Sequence, residues 1–184
     1  MEHLPIFIDV KHKPCLVVGG GDIASRKVSS LLRASARVII VAPELVPALE
    51  QRRAAGELEH RARAFRDADL DDCHLAIAAT DSRDVNQRVA QLANERRIPV
   101  NVVDAAAECS FIMPSVIDRS PVVAAVSTGA SSPLLARLIR ARLESMIPAG
   151  YGRLAELCAQ FRDQVKARFK DPADRRRFWD RVLQ

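Results

Sequence analysis

Short apolar runs alternate along the first half of the chain with longer segments in which apolar residues recur every three or four positions. The runs predict buried strands at 15–19, 38–41, 75–79 and 98–103, and an alternating run predicts another at 58–62. The longer segments predict helices at 22–34, 43–55 and 82–96. This alternation is typical of an α/β fold, a Rossmann-type parallel sheet with helices on its faces.

The pattern changes after residue 110. Apolar and β-branched runs predict two strands, and helical spacing predicts the helices that follow: strands at 111–117 and 121–126, helices at 133–146 and, in two pieces, at 151–183. Asp118–Ser120 is a turn signal between the strands, and Ser132 is the predicted N-cap of the first helix. The two later helices are basic and amphipathic, with a break near Asp171–Pro172. We expect three regions: a Rossmann domain at 1–113, a dimerisation segment at 114–147 and a helical domain at 148–184.

The two strands after residue 110 are strongly apolar, yet they follow a sheet that already has enough strands to be stable. An unpaired apolar edge promotes association, so pairing with a second copy of the chain is one solution. The alternative is that both strands extend the first sheet. We favour a dimer.

Charge and composition narrow the function classes. The net charge is +5, with lysine and arginine concentrated after residue 118. Such a surplus can attract a polyanion, although solvated faces of amphipathic helices are the simpler explanation for most of it. Aromatic residues for base stacking are few, and no nucleic-acid-binding motif is present, so we expect no nucleic-acid partner.

The chain carries no sign of a membrane or of secretion. No uncharged stretch of 18 residues is present, and the N-terminus lacks the basic start of a signal peptide. The four cysteines are widely spaced without a CxxC pair, which indicates neither a disulfide framework nor a zinc site. The four histidines also lack ligand spacing, so no bound metal is expected. A cytoplasmic protein fits these features best.

A glycine-rich turn lies between the first predicted strand and helix, where a dinucleotide-binding fingerprint belongs. It has the GxGxxA form. The first glycine allows a tight turn, the second lets the backbone approach a pyrophosphate, and the small third residue allows close packing of the helix on the sheet. A glycine triplet also suits a purely structural turn. The residues expected to bind the cofactor here are Gly19, Gly21, Asp22, Ile23 and Ala24.

Other cofactor contacts are expected after the second and fourth strands. Pro43 and Glu44 lie about 20 residues after the glycine turn, where a carboxylate bonds the ribose hydroxyls of NAD and repels the 2′-phosphate of NADP. The competing interpretation makes Glu44 an ordinary first-turn glutamate of the next helix. Thr80 and Asp81, after the strand at 75–79, are expected to border the nicotinamide.

Asp104 is the candidate catalytic residue. It follows the strand at 98–103, and ligands of open α/β sheets bind beyond the carboxyl ends of the strands. An oxidation that transfers a hydride to NAD also releases a proton, which Asp104 can accept as general base. Asn101 can orient Asp104 or donate a hydrogen bond to the substrate. By itself, an aspartate at the end of a strand is more often a turn or cap residue than a catalytic residue.

A hydroxyl- and glycine-rich loop enters the helix at 133 and is suited to receive a carboxylate. Nearby arginines can add charge-assisted hydrogen bonds. Alternatively, the hydroxyls serve only to cap the helix. The residues expected to bind substrate, besides Asn101, are Arg119, Ser127, Thr128, Gly129, Ser131, Ser132 and Arg137.

Together these segments resemble the precorrin-2 dehydrogenase/sirohydrochlorin ferrochelatase family, which forms the N-terminal module of siroheme synthases. The matching segments span the chain, at 3–7, 17–22, 75–81, 85–89, 101–104, 110–115, 117–121 and 175–179. Relatives often have a proline soon after the aspartate, where this chain has Ala105–Ala107, and a second glycine where Ala130 stands. Relatives often continue into a uroporphyrinogen-III methyltransferase domain; this chain ends at Gln184, and we expect it to lack that activity.

The resemblance implies NAD-dependent oxidation of precorrin-2 to sirohydrochlorin, followed by insertion of Fe²⁺, a substrate rather than a bound cofactor, to give siroheme. It implies that Asp104 accepts protons in both reactions, and that a homodimer forms through the segment after residue 113. The acidic arms of the tetrapyrrole would give the basic surplus a purpose. Two alternatives remain: a dehydrogenase without chelatase activity, and a non-catalytic NAD(H)-binding regulatory module.

Overall fold

The computed structural model describes residues 3–184, and the chain divides into two compact units between Met113 and Pro114. The first unit holds a five-stranded parallel sheet in the order β3-β2-β1-β4-β5. Its strands are β1 (Pro14–Val18), β2 (Arg37–Val41), β3 (Glu59–Arg61), β4 (Leu75–Ala78) and β5 (Val100–Val102). Its helices are α1 (Asp22–Arg33), α2 (Pro47–Ala54) and α3 (Arg83–Glu95). The predicted α/β class and parallel sheet are confirmed.

The sheet is covered on both faces, which explains why its central strands are apolar at nearly every position. Side chains of β1 alternate between two cores: Leu16 and Val18 pack in the core that includes α3, and Cys15 and Val17 in the core that includes α1. All four side chains are buried. The helices therefore hold the sheet from both sides and leave its carboxyl edge for loops.

The second helix begins later than the sequence predicted. We expected it from residue 43, but α2 starts at Pro47, because proline favours the first helical position and Val46 before it is extended. The backbone N–H of Val46 donates to the carbonyl of Gly20 at 2.9 Å, which holds residues 43–46 as a loop against the glycine turn. Glu44 thus lies outside the first turn of α2, and the competing interpretation of this residue is wrong.

The second unit contains an antiparallel hairpin and three helices. The hairpin pairs β6 (Ser115–Arg119) with β7 (Val122–Val126), and the helices are α4 (Pro133–Met146), α5 (Gly150–Arg168) and α6 (Pro172–Leu183). The hairpin is a separate sheet, so the alternative that its strands extend the first sheet is wrong. Within residues 3–184 no helix is both long and apolar enough to cross a bilayer.

The first hairpin strand also begins later than predicted. Residues 110 and 111 instead belong to the first unit, where the N–H groups of Ser110 and Phe111 donate to the carbonyl of Val100. Asp118 and Arg119, predicted to form the turn, pair as strand residues with β7. The reversal occurs at Ser120–Pro121, a position that a proline can take because it needs no ladder hydrogen bond there.

A buried carboxylate ties β3 to the segment that follows it. The side chain of Asp69 is only 2% exposed and accepts hydrogen bonds from Arg61, from Arg63 at 2.6 and 2.7 Å, and from the backbone of Arg66 at 2.9 Å. Burial by itself would raise the pKa of Asp69, but the bonds from Arg63, Arg66 and Arg61 outweigh it and lower the pKa to about 2. The ionised form is therefore the stabilising one.

We predict that Asp69→Asn destabilises the protein by about 2 kcal/mol at neutral pH, because its folded-state pKa lies nearly two units below that of an unfolded aspartate. The contribution is present above the unfolded pKa and is lost as the pH falls towards about 2. Urea unfolding at several pH values measures it. The difference between wild type and variant should shrink below pH 4. Asp67→Asn, at an exposed ion pair with Arg88, is the matched control and should change stability little.

Candidate functional site

Four loops of the first unit meet at the carboxyl edge of the parallel sheet. They follow β1, β2, β4 and β5, which are neighbours in the sheet. These loops carry every residue that the sequence predicted for the cofactor except those on α1 itself, and they also carry Asp104. The structure thus brings the predicted cofactor and catalytic residues of the first unit to one edge, as expected for an open α/β sheet.

The glycine turn is shaped by two close backbone approaches. Gly19 has a φ of +122°, and a Cβ there would overlap the carbonyl of Ala79. A Cβ on Gly20 would overlap the carbonyl of Glu44. Gly21 differs, because a Cβ there would meet no atom within 4 Å. The protein itself therefore requires the first two glycines, whereas the absence of a side chain at Gly21 leaves open space in front of the helix.

The first turn of α1 offers free backbone donors to that space. The first helical hydrogen bond runs from the N–H of Ser25 to the carbonyl of Gly21, which leaves the amides of Asp22, Ile23 and Ala24 without a partner inside the helix. Gly21 caps the helix without a side-chain hydrogen bond. Ala24 is fully buried against the sheet, so its small size allows the close helix packing that the fingerprint requires. This cradle fits a pyrophosphate.

The loop after β2 lies beside the glycine turn. Pro43 and Glu44 are both exposed, and the carbonyl of Glu44 packs against Gly20. The bond from Val46 to Gly20 fixes this approach. A carboxylate at this edge, next to the pyrophosphate cradle, suits the ribose hydroxyls of a dinucleotide.

The loop after β4 is held by a buried amide that was not among the predicted site residues. Asn86 of α3 donates from Nδ2 to the carbonyl of Thr80 at 2.9 Å, and its Oδ1 accepts from the N–H of Thr80 at 3.2 Å and lies 2.8 Å from the Thr80 hydroxyl. Asp81 is exposed at the tip of this loop. In the sequence, the one sign of this role is that Asn86 is a polar residue at a helix position flanked by core residues.

Asp104 lies at the corner of a tight turn after β5. Its φ is +57°, a left-handed conformation that aspartate tolerates better than most residues, and it is exposed. The N–H of Val103 donates to the carbonyl of Ala78 at 3.0 Å, which ties the turn to β4. The carboxylate is therefore presented to solvent from a backbone anchored on the sheet.

Asn101 and Cys109 close this turn from inside. Asn101 is buried, and its Nδ2 donates to the carbonyl of Phe111 at 3.0 Å and lies 3.5 Å from the Cys109 sulfur. The N–H of Val102 donates to the same sulfur at 3.1 Å. These contacts tie β5 to the chain that folds back beside it, and both roles predicted for Asn101, towards Asp104 and towards a substrate, stay predictions. Cys109 was not predicted, because its role depends on the chain folding back beside β5.

A partly buried lysine on α1 shares the surroundings of Asp104. On one flank of the helix, Ser29 accepts a hydrogen bond from Arg52 of α2, so Lys27 lies on the opposite flank. Burial lowers the pKa of Lys27, and the charge of Arg26 acts in the same direction, while Cys109 in its thiolate form and the Asp104 carboxylate act to raise it. The ammonium of Lys27 is thus within electrostatic reach of the Asp104 carboxylate, a neighbour that sequence spacing did not reveal.

The hydroxyl loop and the predicted arginines lie in the second unit. Most of the loop hydroxyls satisfy the loop itself: Ser127 Oγ accepts from Gly129, Thr128 Oγ1 from Ser132, and Ser132 Oγ from Leu135 as the cap of α4. Ser131 is exposed.

The two predicted arginines differ. Arg119 donates to the carbonyls of Ile147 and Asp118 and to Glu144, contacts that hold the second unit together, and its predicted role in substrate binding stays a prediction. Arg137 is exposed on α4. Among residues 3–184, no three histidine, cysteine or acidic side chains form a cluster suited to a metal ion.

Two family models match the chain. One, described as "Putative NAD(P)-binding", matches residues 6–115. The other, described as "Sirohaem synthase dimerisation region", matches residues 150–184. The second match covers α5 and α6, whereas we expected dimerisation through 114–147.

Curated relatives match the chain from end to end. The siroheme synthase of Nitrosospira multiformis is 56% identical over 188 residues, covering 100% of the chain and 40% of the relative. That of Thioalkalivibrio sulfidiphilus is 55% identical, covering 100% of the chain and 38% of the relative. The chain thus spans about two fifths of the length of the curated relatives it matches.

A solved structure shares the fold. The protein titled "SirC, precorrin-2 dehydrogenase" has a TM-score of 0.81 and 24% sequence identity, covering 99% of this chain and 90% of that one.

Proposed function

The chain belongs to the NAD(P)-binding family and corresponds to the N-terminal module of siroheme synthases, and on that basis we propose that it oxidises precorrin-2 to sirohydrochlorin with NAD⁺. The observation that carries the proposal is the placement of the glycine turn and Asp104 at one edge of a single sheet. A pyrophosphate cradle and a base then lie at the same edge of the sheet. The similarity to siroheme synthases, which covers all of this chain and about two fifths of the relatives, supports the choice of substrate.

Residues at the carboxyl edge of the sheet have separate roles in the oxidation. The substrate loses two electrons and two protons; bound NAD⁺ supplies the acceptor for a hydride, and one proton remains to be taken up. Asp104 accepts that proton as general base, and it is exposed at the edge where the substrate would lie. The amides of Asp22–Ala24 hold the pyrophosphate. Thr80 and Asp81 border the nicotinamide.

Glu44 favours NAD over NADP. Its carboxylate lies on the loop that packs against Gly20 and would bond the two ribose hydroxyls. A 2′-phosphate in the same place would meet a negative charge. We therefore propose NAD⁺ as the cofactor.

We also propose that the same edge inserts Fe²⁺ into sirohydrochlorin. Insertion releases two pyrrole protons, and a carboxylate beside the macrocycle can accept them in turn, so Asp104 serves both reactions. The exposed Arg137 and the loop at 127–132 are proposed to contact the acetate and propionate arms.

Two assays test these activities. Precorrin-2 with NAD⁺ should give sirohydrochlorin and one equivalent of NADH, followed by absorbance. Sirohydrochlorin with Fe²⁺, without NAD⁺, should give siroheme. Failure of the second assay alone would leave a dehydrogenase without chelatase activity, and failure of both with intact NAD⁺ binding would leave a regulatory module.

We propose further that the chain forms a homodimer through its second unit. The hairpin has two strands, and α4 leaves Leu134, Leu135 and Leu138 about half exposed. Such a helix face together with open strand edges favours association. The match of residues 150–184 to a dimerisation region supports the same unit.

Leu138→Glu should weaken the dimer, because it places a charge on an apolar interface. We expect the dimer dissociation constant, measured by analytical ultracentrifugation, to rise at least about tenfold. Ala48→Glu, which adds the same charge at an exposed position of α2 in the first unit, is the control and should leave the dimer largely intact. A monomeric wild-type protein at micromolar concentration would contradict the proposal.

A further inference from the structure

Asn86 is one of three polar residues buried in the described part of the chain. It is 8% exposed, on a helix whose neighbouring core residues are Val89, Ala90 and Ala93. Burying a side-chain amide costs free energy unless its donors and acceptor are paired. The hydrogen-bond partners of Asn86 therefore indicate why a polar residue stands on this face. All three hydrogen-bond contacts of its side chain go to one residue, Thr80.

These contacts fix the backbone at the end of β4. The Thr80 carbonyl receives a bond from Asn86, and the Thr80 N–H donates one back, so both peptide groups that flank the residue are held. The Thr80 hydroxyl also lies 3.0 Å from the carbonyl of Ser82 and accepts from the Ser82 N–H at 3.2 Å. Rotation of the loop at residues 80–82 would break several bonds at once.

The loop after β4 approaches the glycine turn from one side, at Gly19. The carbonyl of Ala79 fills the space that a Cβ on Gly19 would need. The other side of the glycine turn is fixed independently, because Gly19 donates to Val41 and Gly20 accepts from Val46. Asn86 therefore controls the β4 side of the edge and leaves the β2 side, with Glu44, unaffected.

We propose that Asn86 is a positioning residue that fixes the loop at 80–82 and thereby orients the nicotinamide half of the bound dinucleotide. The proposal rests on the proposed function, because it takes the edge of the sheet as the NAD site. Its action is indirect, through Thr80. The adenosine and pyrophosphate half depends on α1 and Glu44 and not on Asn86.

Binding of two ligands distinguishes the nicotinamide half of the site from the adenosine and pyrophosphate half. NAD⁺ spans the whole edge, whereas ADP-ribose lacks the nicotinamide. We expect Asn86→Leu to weaken NAD⁺ binding about tenfold by isothermal titration calorimetry, while ADP-ribose binding changes less than about twofold, because the loss of one or two fixed hydrogen bonds is worth roughly that factor. A purely structural role for Asn86 would weaken both ligands equally or neither.

Matched variants keep the test decisive. Gln91→Leu makes the same chemical change at an exposed position of α3 and should alter neither affinity. Asn86→Asp has the shape of the native side chain and loses the donor to Thr80, so it is measured in place of Asn86→Leu if the latter does not fold, and the same selective loss of NAD⁺ affinity is expected.

The outcomes distinguish the two proposals. Equal loss of both ligands in the Asn86 variant, or no loss, overturns the positioning role while wild-type binding of NAD⁺ and ADP-ribose still supports the dinucleotide site. A wild-type protein that binds neither ligand overturns the proposed function and this inference together.

Discussion

Asp104→Asn is expected to reduce the rate of precorrin-2 oxidation about a thousandfold, within the range that a general base contributes. The amide has nearly the shape of the carboxylate but cannot accept the proton that the substrate loses. Asparagine also tolerates the left-handed conformation at this position, where φ is +57°, so the fold should be kept. The change is measured as sirohydrochlorin formation under saturating NAD⁺.

NAD⁺ affinity and stability should remain near the wild-type values in Asp104→Asn. Asp84→Asn, an exposed carboxylate in the first turn of α3, is the matched control and should keep full activity. Turnover by Asp104→Asn at the wild-type rate would remove Asp104 from the mechanism. If Fe²⁺ insertion is lost together with dehydrogenation, a single carboxylate serves both reactions; insertion at the wild-type rate would separate them.

Gly21→Ala is expected to keep the fold and to lose NAD⁺ affinity about a hundredfold, because a Cβ in front of the first helical turn would stand where the pyrophosphate must approach. The protein itself accommodates that Cβ: Gly21 has a φ of −86°, and no atom lies within 4 Å of the added carbon. Thermal unfolding and calorimetric titration with NAD⁺ measure the two effects separately.

Gly19→Ala should behave differently, which makes the pair of variants informative. Its φ of +122° and the overlap with the Ala79 carbonyl mean that the folded state itself must distort. We expect a clear drop in the melting temperature as well as lost binding. NAD⁺ affinity unchanged in Gly21→Ala would show that no dinucleotide uses the open space in front of α1.

The sheet could be predicted from the sequence because its central strands are buried on both faces, and continuous apolar runs such as 38–41 follow directly from that burial. The ends of elements were harder. Residues 43–46 have helix-compatible spacing, but the bond from Val46 to Gly20 holds them as a loop. Phe111 looks like a strand residue and instead packs in the first unit. Tertiary contacts decided both cases.

Some residues of the candidate site could likewise be predicted from the sequence, and others could not. Gly19, Glu44 and Asp104 could be found because strand ends of a parallel sheet meet at one edge, which is a rule of topology. Asn86, Cys109 and Lys27 could not, because each acts on a residue that is distant in sequence or on another element. The internal contacts of Arg119 could not be predicted either: its place near a hydroxyl loop predicted a substrate contact, and the fold also uses its donors for Ile147 and Glu144.

A crystal structure with NAD⁺ and sirohydrochlorin bound would test the shared edge most directly. We expect the pyrophosphate on the amides of residues 22–24, the adenosine ribose on Glu44, and the nicotinamide beside Thr80 with the macrocycle against the Asp104 carboxylate. A dinucleotide bound away from the glycine turn, or a tetrapyrrole out of reach of Asp104, would contradict the mechanism.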